Sequence, residues 1–134
     1  MHPLALDHST LIVQNLERSR WFYGAVLHLE EIPRPSTFTF EGAWFQGQQF
    51  QIHLIAAHET SAPSGFGVPL EAARTGRGHH LAFEVADLQA WLAHFQAHGL
   101  EIIGGPQERG DGVIQAFVED PDGHLLEFFA WQRN

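Results

Sequence analysis

Hydrophobic and polar residues alternate from Leu4 to Val13, which predicts a strand. The period changes at Asn15, a fitting N-cap for a helix running from Leu16 to about Leu27. Within it Trp21, Phe22, Val26 and Leu29 recur at helical spacing. Short aromatic-rich runs at Phe38–Phe40, Ala43–Phe45 and Phe50–Ala56 predict strands, separated by turns at Glu41-Gly42 and Gly47-Gln48. Residues 58–78 hold Pro63, Gly65, Gly67, Pro69, Gly76 and Gly78, and they read as a loop with one helical turn near Leu70–Arg74. Loops this long act as lids or as linkers, and the composition of Ser61–Arg77 does not separate the two.

The same succession then recurs. His80–Val85 predicts a strand, and Asp87 caps a helix over Leu88–His98. Leu88, Trp91, Leu92 and Phe95 form its apolar stripe, and Gly99 closes it. Strands follow at about Glu101–Ile103, Gly112–Glu119 and His124–Trp131, the last two joined by the turn Asp120-Pro121-Asp122-Gly123. Strand–helix–three strands thus occurs twice, in modules 1–57 and 78–134 of one domain, joined by loop 58–77. An offset of 72 places His8 on His80, Val13 on Val85 and Asn15 on Asp87. At the module ends an offset of 74 places Gln51-Ile52-His53-Leu54 on Leu125-Leu126-Glu127-Phe128.

Alternation assigns faces. Leu81, Phe83 and Val85 must cover the second helix, so His80, Ala82 and Glu84 point the other way. Leu11 and Val13 likewise meet the first helix, leaving His8, Thr10 and Ile12 opposite. Gln51, His53 and Ile55 share a face, as do Leu125, Glu127 and Phe129. Repeat-equivalent positions therefore carry His8, His53, His80 and Glu127, all directed away from the helices. Three imidazoles and a carboxylate suit Fe(II), Mn(II), Zn(II), Ni(II) or Co(II) better than calcium. His79 competes with His80, but alternation places its side chain among Leu81, Phe83 and Val85.

Composition narrows the chemistry. The 134 residues contain no cysteine and no lysine, which excludes thiol catalysis, a lysine Schiff base, disulfides and cysteine-ligated metals. A net charge of −9 with seven scattered arginines provides no basic stripe for nucleic acid. No apolar run is long enough to span a bilayer, and the first residues lack the features of a signal peptide, so a cytoplasmic protein is expected. Of ten histidines, His2, His28, His58, His94 and His98 read as surface residues.

The ordered set Leu6-Asp7-His8, Asn15-Leu16-Glu17-Arg18-Ser19, Trp21-Phe22-Tyr23, Gly78-His79-His80-Leu81-Ala82-Phe83-Glu84-Val85, Asp87-Leu88 and Asp120-Pro121-Asp122-Gly123-His124-Leu125-Leu126-Glu127-Phe128 resembles the vicinal oxygen chelate superfamily. That superfamily includes glyoxalase I, methylmalonyl-CoA epimerase, fosfomycin-resistance enzymes, extradiol dioxygenases and bleomycin-resistance proteins. The resemblance implies an α+β fold: two paired βαβββ modules form a curved mixed sheet around a metal-binding cleft, with helices outside. It also implies a homodimer and a small-molecule substrate. Positions matching His8, His80 and Glu127 are metal ligands in such enzymes. The position of His53 is glutamate in glyoxalase I and glutamine in the epimerase, so a histidine there is a departure, either a fourth ligand or a general base.

Three activities follow from the resemblance. A glyoxalase-like lyase or isomerase would chelate adjacent substrate oxygens, with Glu127, His53 or Glu84 as the base. An extradiol-type Fe(II) dioxygenase would use His8, His80 and Glu127 as its facial triad. Fosfomycin-type transfer, for which Thr10 stands at a matching threonine, is disfavoured by the lack of lysine. The remaining alternative is a bleomycin-resistance-like binding protein without metal. Expected substrate contacts are Thr10, Trp44, Phe38, Phe40, Phe117 and Phe129, with Arg109 pairing an anionic substrate group.

Overall fold

The computed structural model describes residues 1–58 and 70–133. The chain divides into two compact units, Met1–Ser64 and Gly65–Asn134. In the first, β1 (His8–Val13) leads into α1 (Leu16–Trp21), which continues as a π-helical segment (Phe22–Val26) before β2 (Glu30–Ile32), β3 (Gly42–Gln46) and β4 (Gln51–Ala56). The second opens with α2 (Leu70–Thr75), followed by β5 (Leu81–Glu84), α3 (Leu88–Ala97), β6 (Gly104–Glu108), β7 (Val113–Glu119) and β8 (Leu125–Trp131). Each unit holds a four-stranded mixed sheet, ordered β1-β4-β3-β2 in one and β5-β8-β7-β6 in the other. The architecture is α+β, with the βαβββ succession in both halves.

Both helices begin where side chains satisfy free backbone donors. Asn15 Oδ1 accepts from the Arg18 amide at 3.1 Å, and Asp87 Oδ1 accepts from the Ala90 amide at 3.0 Å. Gly99, with φ of 78°, ends α3 in the left-handed region. Leu88, Leu92 and Phe95 are buried, and Phe95 meets Phe128 edge-on at 4.8 Å. In the first unit the buried stripe is Ser19, Phe22, Tyr23, Val26 and Leu27, facing a sheet side that includes Leu11, Val13, Phe45 and Leu54. Trp21, expected on that stripe, is exposed: i, i+3, i+4, i+7 counted from Ser19 passes through Phe22 and Tyr23 instead.

The two sheets share one register. Parallel pairing sets Thr10 beside His53 in the first and Ala82 beside Glu127 in the second. Antiparallel pairing then sets Trp44 beside His53, and Phe117 beside Glu127. Residues paired across strands lie on one face. The side away from α1 therefore carries the rows His8–Gln51–Gln46 and Thr10–His53–Trp44.

Several boundaries differ from the sequence expectation. The first strand starts at His8 rather than Leu4, and Leu4 and Leu6 are exposed. Phe38–Phe40 is not a strand; Glu30–Ile32 takes the edge position beside β3. Phe38 and Phe40 instead stack on each other at 4.9 Å, with the Arg34 guanidinium over both rings. The strand expected at Glu101–Ile103 lies later, at Gly104–Glu108. A Cβ on Gly104 would come within 2.6 Å of the Arg74 carbonyl of α2. Gly104→Ala is expected to lower stability by roughly 1–3 kcal/mol in urea unfolding. An unchanged midpoint would show that α2 yields freely. The stretch 59–69, the centre of the expected lid or linker, lies outside the described residues. No helix among the described residues is long and apolar enough to cross a membrane.

Candidate functional site

In the first unit the polar sheet face carries a stack of three rings. Trp44 and His53 lie face to face at 3.9 Å and 5°, and His53 and His8 at 4.0 Å and 16°. Cross-strand pairing explains the first contact, since β3 and β4 set these residues opposite each other. His53 is buried, whereas the His8 side chain is 41% exposed.

Hydrogen bonds orient both imidazoles. Gln46 Nε2 donates to the Gly47 and Phe50 carbonyls at 2.7 and 3.0 Å. Its Oε1 therefore accepts from Gln51 Nε2 at 2.9 Å, and Gln51 Oε1 in turn accepts from His53 Nε2 at 2.7 Å. This chain makes Nε2–H the donor and leaves the Nδ1 lone pair of His53 open. His8 Nδ1 donates to Asp7 Oδ2 at 2.8 Å, leaving its Nε2 open. Burial, and then the neighbouring His8, push His53 below the usual histidine value against a pull from Asp7.

The second unit carries a different pair. His80 Nδ1 donates to the Gly78 carbonyl at 2.8 Å, which turns Nε2 to the other side. That nitrogen faces Glu127 Oε1 at 3.3 Å, and the Glu127 side chain is only 5% exposed. The other carboxylate oxygen, Oε2, accepts from Arg109 Nη1 at 2.8 Å. Asp111 grips Arg109 from behind, with Nε and Nη2 both donating to its carboxylate, and the guanidinium lies over the Phe129 ring at 4.4 Å. The Arg109 hydrogen bonds hold Asp111 below its ordinary carboxylate range, and Asp111 and Glu127 hold Arg109 above its own.

The other expected residues fall at distinct places. Thr10 is exposed beside His53. Phe117 is buried with Ala73 and Leu125, and its ring meets His80 edge-on at 5.8 Å. Phe129 is half-buried beneath Arg109. Glu84 is exposed at the end of β5, paired with Phe129 rather than Glu127. His79 is exposed, and His80 is the histidine at Glu127. Among the described residues no group of three or more metal-ligating side chains is assembled; each unit carries a pair. Sequence reasoning missed Asp7, Gln46, Gln51 and Asp111. Gln51 was within reach, because alternation puts it on the His53 face two residues away.

Residues 5–128 match the model of the Glyoxalase/Bleomycin resistance protein/Dioxygenase superfamily, and the chain belongs to that family. It is 29% identical over 128 residues to glyoxylase I 4 of Arabidopsis thaliana, covering 95% of this chain and 71% of that protein. It is 33% identical over 129 residues to a lactoylglutathione lyase of Haemophilus influenzae, covering 90% of this chain and 88% of the relative. A glyoxalase family protein from Bacillus anthracis shares the fold, with a TM-score of 0.79 at 24% identity over 98% of both chains.

Proposed function

We propose that this chain is a divalent-metal-dependent enzyme of the lyase or isomerase type, acting on a small organic substrate with adjacent oxygens. His8, His80 and Glu127 are its metal ligands, and His53 is its base. One observation carries the reading. His80 commits its Nδ1 proton to a backbone carbonyl and turns Nε2 toward a buried carboxylate oxygen. A ring nitrogen and a carboxylate oxygen 3.3 Å apart need a cation with them, either a proton on Nε2 or a metal ion in its place. A histidine that donates its second nitrogen to a carbonyl or carboxylate has the usual orientation of a metal ligand. His8, donating to Asp7, has it too. The donor set fits Fe(II), Mn(II), Zn(II), Ni(II) or Co(II).

His53 fits a different role. Its ring is nearly parallel to that of His8, and an ion equidistant from both would lie well out of each ring plane, where no lone pair points. A neutral imidazole with an open Nδ1 is equipped to take a proton from a substrate carbon and return it to the neighbouring one. Gln51 accepts from the opposite nitrogen and stabilises the imidazolium between those transfers. A bound divalent cation would supply Lewis-acid polarisation of the substrate oxygens. The relatives' names support the lyase or isomerase class.

A second reading has its own observation. With His53 outside the ligand set, two histidines and one carboxylate remain, the facial set of Fe(II) oxygenases. Elemental analysis of tag-free protein, beside a His80→Ala/Glu127→Ala variant, tests the common core. We expect roughly one divalent ion per chain in the parent and loss in the variant. Turnover of a 2-oxoaldehyde–thiol adduct supports the lyase reading, and oxygen uptake with a catechol the dioxygenase. A parent that stays empty after reconstitution with iron, manganese, nickel and zinc overturns both and leaves a metal-free binding protein. Pairing into a homodimer in the cytoplasm is part of the same proposal, read out by light scattering and fractionation.

A further inference from the structure

We infer that Arg109 is a positioning residue for the metal ligand Glu127, not the substrate-anion contact that its place in a turn suggests. The inference rests on the proposed metal reading and lies wholly within the second unit. Glu127 has two carboxylate oxygens with different fates: Oε2 is taken by Arg109 at 2.8 Å, and Oε1 alone faces His80 Nε2. The question is which partner holds the other. Arg109 has anchors independent of Glu127, namely three hydrogen bonds to Asp111 and the face of Phe129. Glu127 is a buried carboxylate whose charged neighbours among the described residues are Arg109 and His80.

The guanidinium is therefore the fixture and the carboxylate the part being set. Asp111 fixes Arg109, Arg109 fixes Oε2, and one oxygen is left for an ion beside His80. A ligating carboxylate that is hydrogen-bonded from outside its metal loses orientation, and affinity, when that partner is removed. Three of the five N–H groups of Arg109 are already committed, so a substrate anion would find only one on each Nη. Its Nε and Nη2 are committed to Asp111 and its Nη1 to Glu127.

The test titrates zinc(II) and manganese(II) into the metal-free full chain in competition with a chromophoric chelator. It compares the parent with Arg109→Met, Arg109→Lys, Asp111→Asn and Glu127→Ala. Removing an outer-shell partner typically weakens metal binding about 10–100-fold, and that range is expected for Arg109→Met. Arg109→Lys restores part of the loss, because it keeps a donor and a charge but not the fork to Asp111. Asp111→Asn falls between parent and Arg109→Met. In the cobalt(II)-loaded chain, Arg109→Met also shifts the visible absorption, which a change in fold stability alone would not do. Unchanged or tighter metal binding in Arg109→Met, with Glu127→Ala still losing the ion, overturns the positioning role and leaves the metal reading intact. A raised KM at unchanged metal affinity returns Arg109 to substrate binding. A parent that binds neither ion overturns both.

Discussion

His53→Ala is expected to keep its metal and lose its turnover, by about 10²–10⁴-fold in kcat, the usual contribution of a positioned general base. His8→Ala, one ring further along the same stack, is expected to lose the ion itself. The contrast follows from two features of the first module. The Gln46–Gln51 relay spends the Nε2 proton of His53 and leaves Nδ1 as its only basic atom. Trp44 and His8 sandwich the ring at 3.9 and 4.0 Å, which fixes its plane and keeps it parallel to the candidate ligand. Burial favours the uncharged ring over the imidazolium. Gln51→Leu removes the relay but not the ring, so it should lose less than His53→Ala while also retaining metal. Elemental analysis of the three variants decides the matter even before a substrate is known. Metal loss in His53→Ala equal to that in His8→Ala would make His53 a fourth ligand.

How much of this was legible beforehand depends on the period of each element. α3 was plain, because Leu88, Leu92 and Phe95 mark a stripe between an aspartate cap and a glycine stop. The strands with strict alternation, β1, β4 and β5, were found with their faces correct: Leu11, Val13 and Leu54 are buried on the helix side. β2 was not, since Glu-Glu-Ile is short, polar and at an edge, with only one neighbour to pack against. The Phe38–Phe40 run misled because aromatic residues score as strand formers, yet here they stack locally around Arg34. β6 was missed because its Gly-Gly-Pro-Gln-Glu segment carries no apolar alternation, and the close approach of the α2 backbone to Gly104 leaves no mark in local propensity.

The candidate site divides along the same line. Which residues share a face is a period-2 property, so His8, His53, His80 and Glu127 could be named from their spacing. Which nitrogen carries the proton, and which oxygen is already occupied, depends on partners whose side chains carry no pattern. Asp7 lies beside His8 in sequence, where alternation predicts opposite faces, yet it bonds the ring. Asp111 reaches the site only through Arg109, two residues back in the same turn.

The largest stability effect is expected at Arg109 in the metal-free chain. The Arg109–Asp111 pair is partly exposed, with side-chain accessibilities of 29% and 52%, and solvent screening leaves such pairs little weight in stability. The Arg109–Glu127 pair differs because one partner is almost fully enclosed. Removing the guanidinium leaves an enclosed carboxylate with only His80 beside it, and breaking a buried pair from one side costs about 3–5 kcal/mol. Arg109→Met should therefore cost roughly 3 kcal/mol in urea unfolding with a chelator present, toward the lower end because Arg109 itself is partly exposed. Arg109→Met/Glu127→Met removes the stranded charge together with its partner and should recover most of that loss. The cycle then shows a coupling energy well above the few tenths expected of independent sites. Asp111→Asn, which leaves Glu127 paired, should cost far less than Arg109→Met. A double variant no more stable than Arg109→Met would mean that the cost is lost packing of the arginine stem on Phe129 and not the burial of an unpaired charge.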